Sequence, residues 1–477
     1  RRLAGAAVLT LFGALAVGAP AASAHESALE SHRSIDTIRL SPARQAKLVQ
    51  RAAQLTALSA EAVTPGTEHL VGTWEAPQDW SIVGVFLSLL PNGKVLAFDS
   101  VNDQPAETNQ VHTTTRALVW DPATNTNVRY DNTTGFNLFC SGYAKLPDGR
   151  VFLAGGNKDA ALSGLRTTHL FDFASNTWTR TADMAAERWY PSVTPLRNGE
   201  MLVTGGGPAT SEVRETDGRL RPLTSAARPE WANREYPWLQ TAPNGQVAFI
   251  GPNPSMGYVD TTAAGSWTPI GQRSGGYRSY GSYAMFDAIN GRVLVSGGAD
   301  TNRSAEVVDL NTNSSAPTSP MNVQRRQHNL TVLPNGSVLA TGGIAGSGGS
   351  LADFNNAVLG SEIWNPSTGQ WTATAAQARP RMYHSAALLL PDGRVLSTGG
   401  GICGTCTQIG YLEKNYEIYT PPYLYQTDGS LAPRPQITAA PATINYSSAF
   451  AVSSPQAATI TKAALVRLGS VTHSQDM

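Results

Sequence analysis

One phrase recurs along the chain: an apolar run, a tight turn usually of the Pro-Asn-Gly or Pro-Asp-Gly kind, a second apolar run and then, in most copies, a Gly pair. It reads LSLLPNGKVLAF from Leu87, AKLPDGRVFLAGG from Ala144, TPLRNGEMLVTGG from Thr194 and QTAPNGQVAFIGP from Gln240. It returns as AMFDAINGRVLVSGG from Ala284, TVLPNGSVLATGG from Thr331 and ALLLPDGRVLSTGG from Ala387. Asn-Gly and Asp-Gly supply the positive φ of a tight hairpin turn, so each copy predicts two short antiparallel strands. Aromatic stretches such as LVWDPATN from Leu118, HLFDFASNTW from His169 and EIWNPSTGQW from Glu362 predict outer strands.

The turn glycines are Gly93, Gly149, Gly199, Gly245, Gly291, Gly336 and Gly393, spaced 45 to 57 residues apart. That is close to the kelch period of about 50 residues. Four short strands repeated seven times predict an all-β fold, a seven-bladed kelch-type β-propeller over residues 67–432. A plain sandwich does not repeat at this period. Residues 433–477 hold two alternating stretches, ATINYSSAFAVSS and ITKAALVRLGSVTH. They predict the first strands of an immunoglobulin-like β-sandwich, truncated at Met477.

Ahead of the repeats, residues 25–66 read as a polar linker with one amphipathic helix from Ala43 to Leu58 and no assignable chemistry. Arg1 and Arg2, an apolar run from Leu3 to Val17 and the small-residue run Ala22-Ser23-Ala24 predict an export signal over residues 1–24. The run is short for a membrane anchor and ends at Pro20. The double Arg leaves general and twin-Arg export both open. Composition narrows the partners. The 35 Lys+Arg balance 35 Asp+Glu, which leaves no electrostatic footprint for nucleic acid or an anionic membrane. With 41% hydrophobic residues and 10 Trp, the chain can bury a core. A secreted monomer is expected.

Pseudo-symmetry turns spacing into geometry. In a propeller the first strand of each hairpin lies innermost, so residues equally far before the turn glycine share one height around the channel. Nine positions before it stand Gly84, Cys140, Tyr190, Tyr236, Ser282, Gln327 and His384. Copy five has one extra residue before its turn, so a shift of one is expected at Ser282. Trp189 and Tyr383 lie one step upstream of Tyr190 and His384. Taken singly these residues are ordinary: a Tyr packs its ring and bonds its hydroxyl to backbone, and a buried Cys is a small hydrophobe. Cys403 and Cys406, in CGTC, suggest zinc, redox chemistry or a local disulfide. Zinc lacks partner ligands, and export favours the disulfide, leaving Cys140 as the odd cysteine.

Four motifs stand at telling mutual spacings: FCSGYAKLPDGR with Cys140, ERWYPSVTPLRNG with Tyr190, RMYHSAALLLPDGR with Tyr383 and His384, and LVRLGSVTHS with His473. With CGTC and EIYTPPYLY after the last repeat, they resemble the galactose oxidase and glyoxal oxidase family of copper radical oxidases from about Thr73 onward. The resemblance implies that Tyr190, Tyr383, His384 and His473 bind one copper ion. It implies a thioether between Cys140 and the Tyr190 ring, a radical on that phenol and a base role for Tyr383. His473 would arrive on a sandwich loop reaching down the propeller axis. Imidazoles and phenolates are suitable Cu(II) ligands.

One departure from the pattern matters. In galactose oxidase an indole from just beyond the Gly pair shields the crosslinked ring, but here that stretch is GGGPAT, with Pro208. Trp189, in the RWY pattern of the glyoxal oxidase-like branch, is assigned the shielding role. The expected activity is oxidation of a primary alcohol or small aldehyde by O2, giving aldehyde or acid and H2O2. The substrate is a small molecule or glycan, and galactose is disfavoured. Arg234, Tyr236, Gln327 and His328 are candidate pocket-lining residues, with Arg188 nearby. The alternative is a non-catalytic propeller that binds glycans or proteins.

Overall fold

In the computed structural model the described residues are 39–99, 112–231, 236–299, 302–346, 350–445 and 448–476. The expected export signal and Arg234 lie outside them. Among the described residues no helix is long and apolar enough to cross a membrane.

Seven antiparallel sheets form the seven expected blades. Blade two shows the plan: Gly142–Lys145, Val151–Ala154, Thr168–Asp172 and Thr177–Arg180, each strand paired with the next. Burial is lowest on the outermost strands, because the inner strands meet a neighbouring blade on both faces. In blade one Val95–Asp99 is wholly buried and Thr126–Arg129 wholly exposed. The core lies between blades, as where Leu87, Val95 and Trp120 of blade one pack with Leu388, Leu396 and Tyr416 of blade seven.

Closure uses both ends of the described chain. Blade seven comprises Ser385–Leu389, Val395–Gly399 and Asn415–Thr420, and its outer strand is Thr73–Trp74 from before blade one. Early and late residues thus share one sheet, which ties the ring without a free edge. Blade one gains two strands on its inner edge, Ser470–Thr472 and Gln475–Asp476. This hairpin lies in the channel, with Val471 opposite Leu87 and Ser470 opposite Ser88.

Two expectations are revised. The expected start of a sandwich over residues 433–477 is not confirmed: among the described residues from 433 to 469 there is one isolated bridge, Ala439 to Ser453, and Ile437 and Leu465 stand 70% and 79% exposed. Strands gain stability from a covered apolar face, and among the described residues no second sheet covers these. The amphipathic segment does form a helix, Pro42–Thr56, capped by the Ser41 hydroxyl. It is more than a linker, because Leu48 and Leu55 are buried against Met382, Tyr383 and the Cys403–Cys406 pair.

Four blades share a buried device that the sequence reading did not find. Arg188–Glu212, Arg278–Glu306, Arg325–Glu362 and Arg381–Glu417 are ion pairs at 3.0 Å with almost no exposure. Each guanidinium also donates to the first glycine carbonyl of its Gly pair: Gly205, Gly297, Gly342 and Gly399. The signal was an Arg two or three residues before the ring position and a Glu on the third strand. Arg188 therefore braces the blade and is buried.

Candidate metal centre

The innermost strands begin at the ring positions, where the backbone turns sharply. Cys140, Tyr190, Tyr236, Gln327 and His384 all have φ between 40° and 63°. That left-handed region is unfavourable for side chains larger than Asn or Asp, and it persists where surroundings over-determine it. Here the bracing is a ring of backbone bonds between neighbouring blades: Tyr190 N–H to Cys140 O, and Tyr236 N–H to Tyr190 O. The buried Arg–Glu pairs fix the chain two or three residues upstream.

Blade five corrects the ring. Its member is Tyr280, with φ 55° and its carbonyl accepting from the Gln327 N–H. The shift is two residues, because the first strand of that hairpin carries an irregularity between Met285 and Asp287. Ser282 instead donates its hydroxyl to the Ser474 carbonyl. The extended turn FDAING was the visible signal.

Four polar atoms from three distant stretches of chain converge. The Tyr190 phenol oxygen lies 3.1 Å from that of Tyr383, 3.2 Å from His384 Nε2 and 3.2 Å from His473 Nε2. His384 Nδ1 stands 2.9 Å from the Gly401 carbonyl, so it carries the proton and leaves the Nε2 lone pair facing the cluster. His473 Nδ1 meets the Thr472 hydroxyl at 2.6 Å, which turns its Nε2 the same way. His473 sits at the tip of the channel hairpin, with φ 48° followed by Ser474 at 67°.

Aromatic rings enclose the cluster. The Trp189 and Tyr190 ring centroids are 4.2 Å apart, and Tyr236 packs at 4.7 Å from Tyr190 and 4.8 Å from His473. Phe139 meets His384 edge-on at 5.2 Å. Cys140 is buried in the same aromatic cluster as Tyr190 and stays outside the disulfide, which joins Cys403 to Cys406. Tyr280 stands edge-on to Tyr383, with the Arg326 guanidinium 4.6 Å over its ring. Gln327 is buried on the ring with its side-chain amide unbonded. His328 faces away, bonded to Ser296 inside its own pair of blades.

A profile of the glyoxal oxidase N-terminus matches residues 92–423. The chain belongs to this family. Two relatives place it further. It is 28% identical over 439 residues to a galactose oxidase of Gibberella zeae, covering 85% of this chain and 62% of that one. It is 24% identical over 355 residues to the aldehyde oxidase GLOX of Vitis pseudoreticulata, covering 66% of each. The chain thus spans less than two thirds of the length of these relatives. A fungal alcohol oxidase solved in complex with copper shares the fold, with a TM-score of 0.74 at 25% identity over 85% of this chain and 88% of that one. All three are oxidases by name, and the family match spans six of the seven turn motifs completely.

Proposed function

We propose that this chain is a copper radical oxidase that converts a primary alcohol, or a small aldehyde as its hydrate, with O2, into the aldehyde or acid and H2O2. The observation that carries the reading is the convergence of Tyr190, Tyr383, His384 and His473 on one point. Two phenols and two imidazoles are the donor chemistry that Cu(II) takes, and His384 presents an unprotonated Nε2 to it. These four residues would hold the ion. When bound, copper supplies a one-electron acceptor that works beside the oxidised Tyr190 phenol.

The remaining roles fall to the chain itself. Cys140 joins the Tyr190 ring through a thioether, whose electron donation makes that phenol easier to oxidise. Trp189, 4.2 Å from Tyr190, excludes water from it. Tyr383, whose phenol oxygen lies 3.1 Å from that of Tyr190, takes the proton of the substrate hydroxyl. Tyr190 takes the hydrogen from the carbinol carbon, and O2 accepts the two electrons and two protons. Tyr236, Tyr280 and Gln327, which surround the cluster, line the approach of a small-molecule or glycan substrate. The protein acts outside the cell, as the signal pattern of residues 1–24 suggests.

The test is peroxide formation over a panel of primary alcohols, small aldehydes and galactose, with copper-loaded and copper-stripped protein. Copper-dependent peroxide from a small alcohol or aldehyde supports the reading. No peroxide from any of them, with glycan binding retained, supports a binding propeller instead.

A further inference from the structure

The hairpin that carries His473 enters the channel from the turn end of the blades, and something must set how far it reaches. Strand side chains alternate faces, so a slip of one residue would replace His473 at the cluster with Thr472 or Ser474. Backbone pairing to Phe86–Leu89 consists of two ladder positions, Leu87 to Val471 and Ser88 to Ser470, and one bond from the Leu89 N–H to the Gly469 carbonyl. At the tip, where His473 and Ser474 both hold positive φ, the Ser474 carbonyl accepts from the Ser282 hydroxyl and Gln475 donates to the Tyr236 carbonyl, which leaves the base of the hairpin to be anchored separately.

The base of the hairpin meets Lys145, the last residue of the inner strand of blade two. Its Nζ donates to the Leu468 carbonyl at 3.1 Å, the Gly469 carbonyl at 2.7 Å and the Ser470 hydroxyl at 2.9 Å. All three ammonium protons are thereby used on three consecutive residues. Burial and the neighbouring Arg467 pull its pKa down to about 7, with Asp476 acting the other way. An ammonium that is half-buried loses part of its hydration, and these three bonds replace it. Tyr143, two residues earlier, donates to the Val471 carbonyl at 2.6 Å.

We propose that Lys145 is a positioning residue whose ammonium sets the axial register of the 468–476 hairpin and so places the His473 imidazole at the metal site. The inference rests on His473 as a ligand. Lys145 touches none of the four donors and acts through the hairpin, about 10 Å of strand from Ser470 to His473.

The test compares Lys145→Met and Lys145→Arg with the full chain. Hydrogen exchange of amides 470–476 is read in the copper-free protein, and Cu(II) affinity and nitrogen hyperfine structure in the loaded one. Lys145→Met should speed exchange in the hairpin roughly 10-fold over the blades. It should weaken copper binding roughly 10–100-fold, as loss of an outer support does. Lys145→Arg, which keeps charge and donors, should recover most of both. A folded Lys145→Met with unchanged hairpin exchange and copper affinity overturns the proposal. If that variant does not fold, Ser470→Ala, which removes one acceptor, should show the same changes in smaller measure, and none overturns it. Failure of the unaltered protein to bind copper would sink the oxidase reading alone, since the exchange result stands without metal.

Discussion

His473 Nε2 lies 3.2 Å from the Tyr190 phenol oxygen although 283 residues separate the two in sequence. The contact depends on two independent constructions, the ring position of blade three and the tip of the channel hairpin. His473→Ala should therefore lower Cu(II) affinity by more than the roughly 10–100-fold that an outer support is worth, with little loss of stability. Copper titration followed by absorption and EPR reads this, and wild-type affinity in the variant would contradict the ligand assignment.

Trp189 covers Tyr190 at a centroid distance of 4.2 Å. Trp189→Leu should leave copper binding intact but shorten the lifetime of the oxidised phenol by about an order of magnitude, because water reaches the ring. Decay of its optical and EPR signals after chemical oxidation is the measurement. An unchanged lifetime would return Trp189 to a packing role.

The buried Arg–Glu pairs predict an asymmetric response. Arg325→Met strands Glu362 without its partner and should cost about 3–5 kcal/mol. Arg325→Met with Glu362→Met should cost markedly less, since no charge is left buried. Urea unfolding of the two proteins distinguishes them, and equal losses would deny that the pair is a closed unit.

Acid should weaken the fold through two histidines. Burial, with Arg325 and Arg278 close by, holds His328 down to about 3, and burial with Arg180 holds His169 down to about 4. Unfolded, both titrate near 6.5. Between those values the unfolded chain binds more protons, so stability falls as pH drops from about 6.5 towards 4, by up to about 1.4 kcal/mol per unit for each. His328→Gln should flatten that slope in unfolding curves taken at pH 7 and pH 5. A parallel slope would mean His328 is protonated in the fold.

The turn chemistry of Asn-Gly and Asp-Gly made the blades legible, and equal spacing to the turn glycine made most of the ring legible. Tyr280 was lost because a strand irregularity near Met285 shifts the count by two, and local counting does not see bulges. The Arg–Glu braces escaped because their partners lie 24 to 37 residues apart and pair only once a blade has folded. The helix at Pro42–Thr56 was visible as a helix, but its docking beside Tyr383 is a tertiary fact. The channel hairpin read as sandwich strand, since alternation is the same whichever sheet a strand joins.

The most direct test of the account is mass spectrometry of a digest after treatment with copper and O2. The account predicts one peptide joining Cys140 to Tyr190, two hydrogens lighter than the sum of its parts, and its absence when copper is withheld or His384 is replaced by Ala. Separate Cys140 and Tyr190 peptides under every condition would contradict a radical site at this centre.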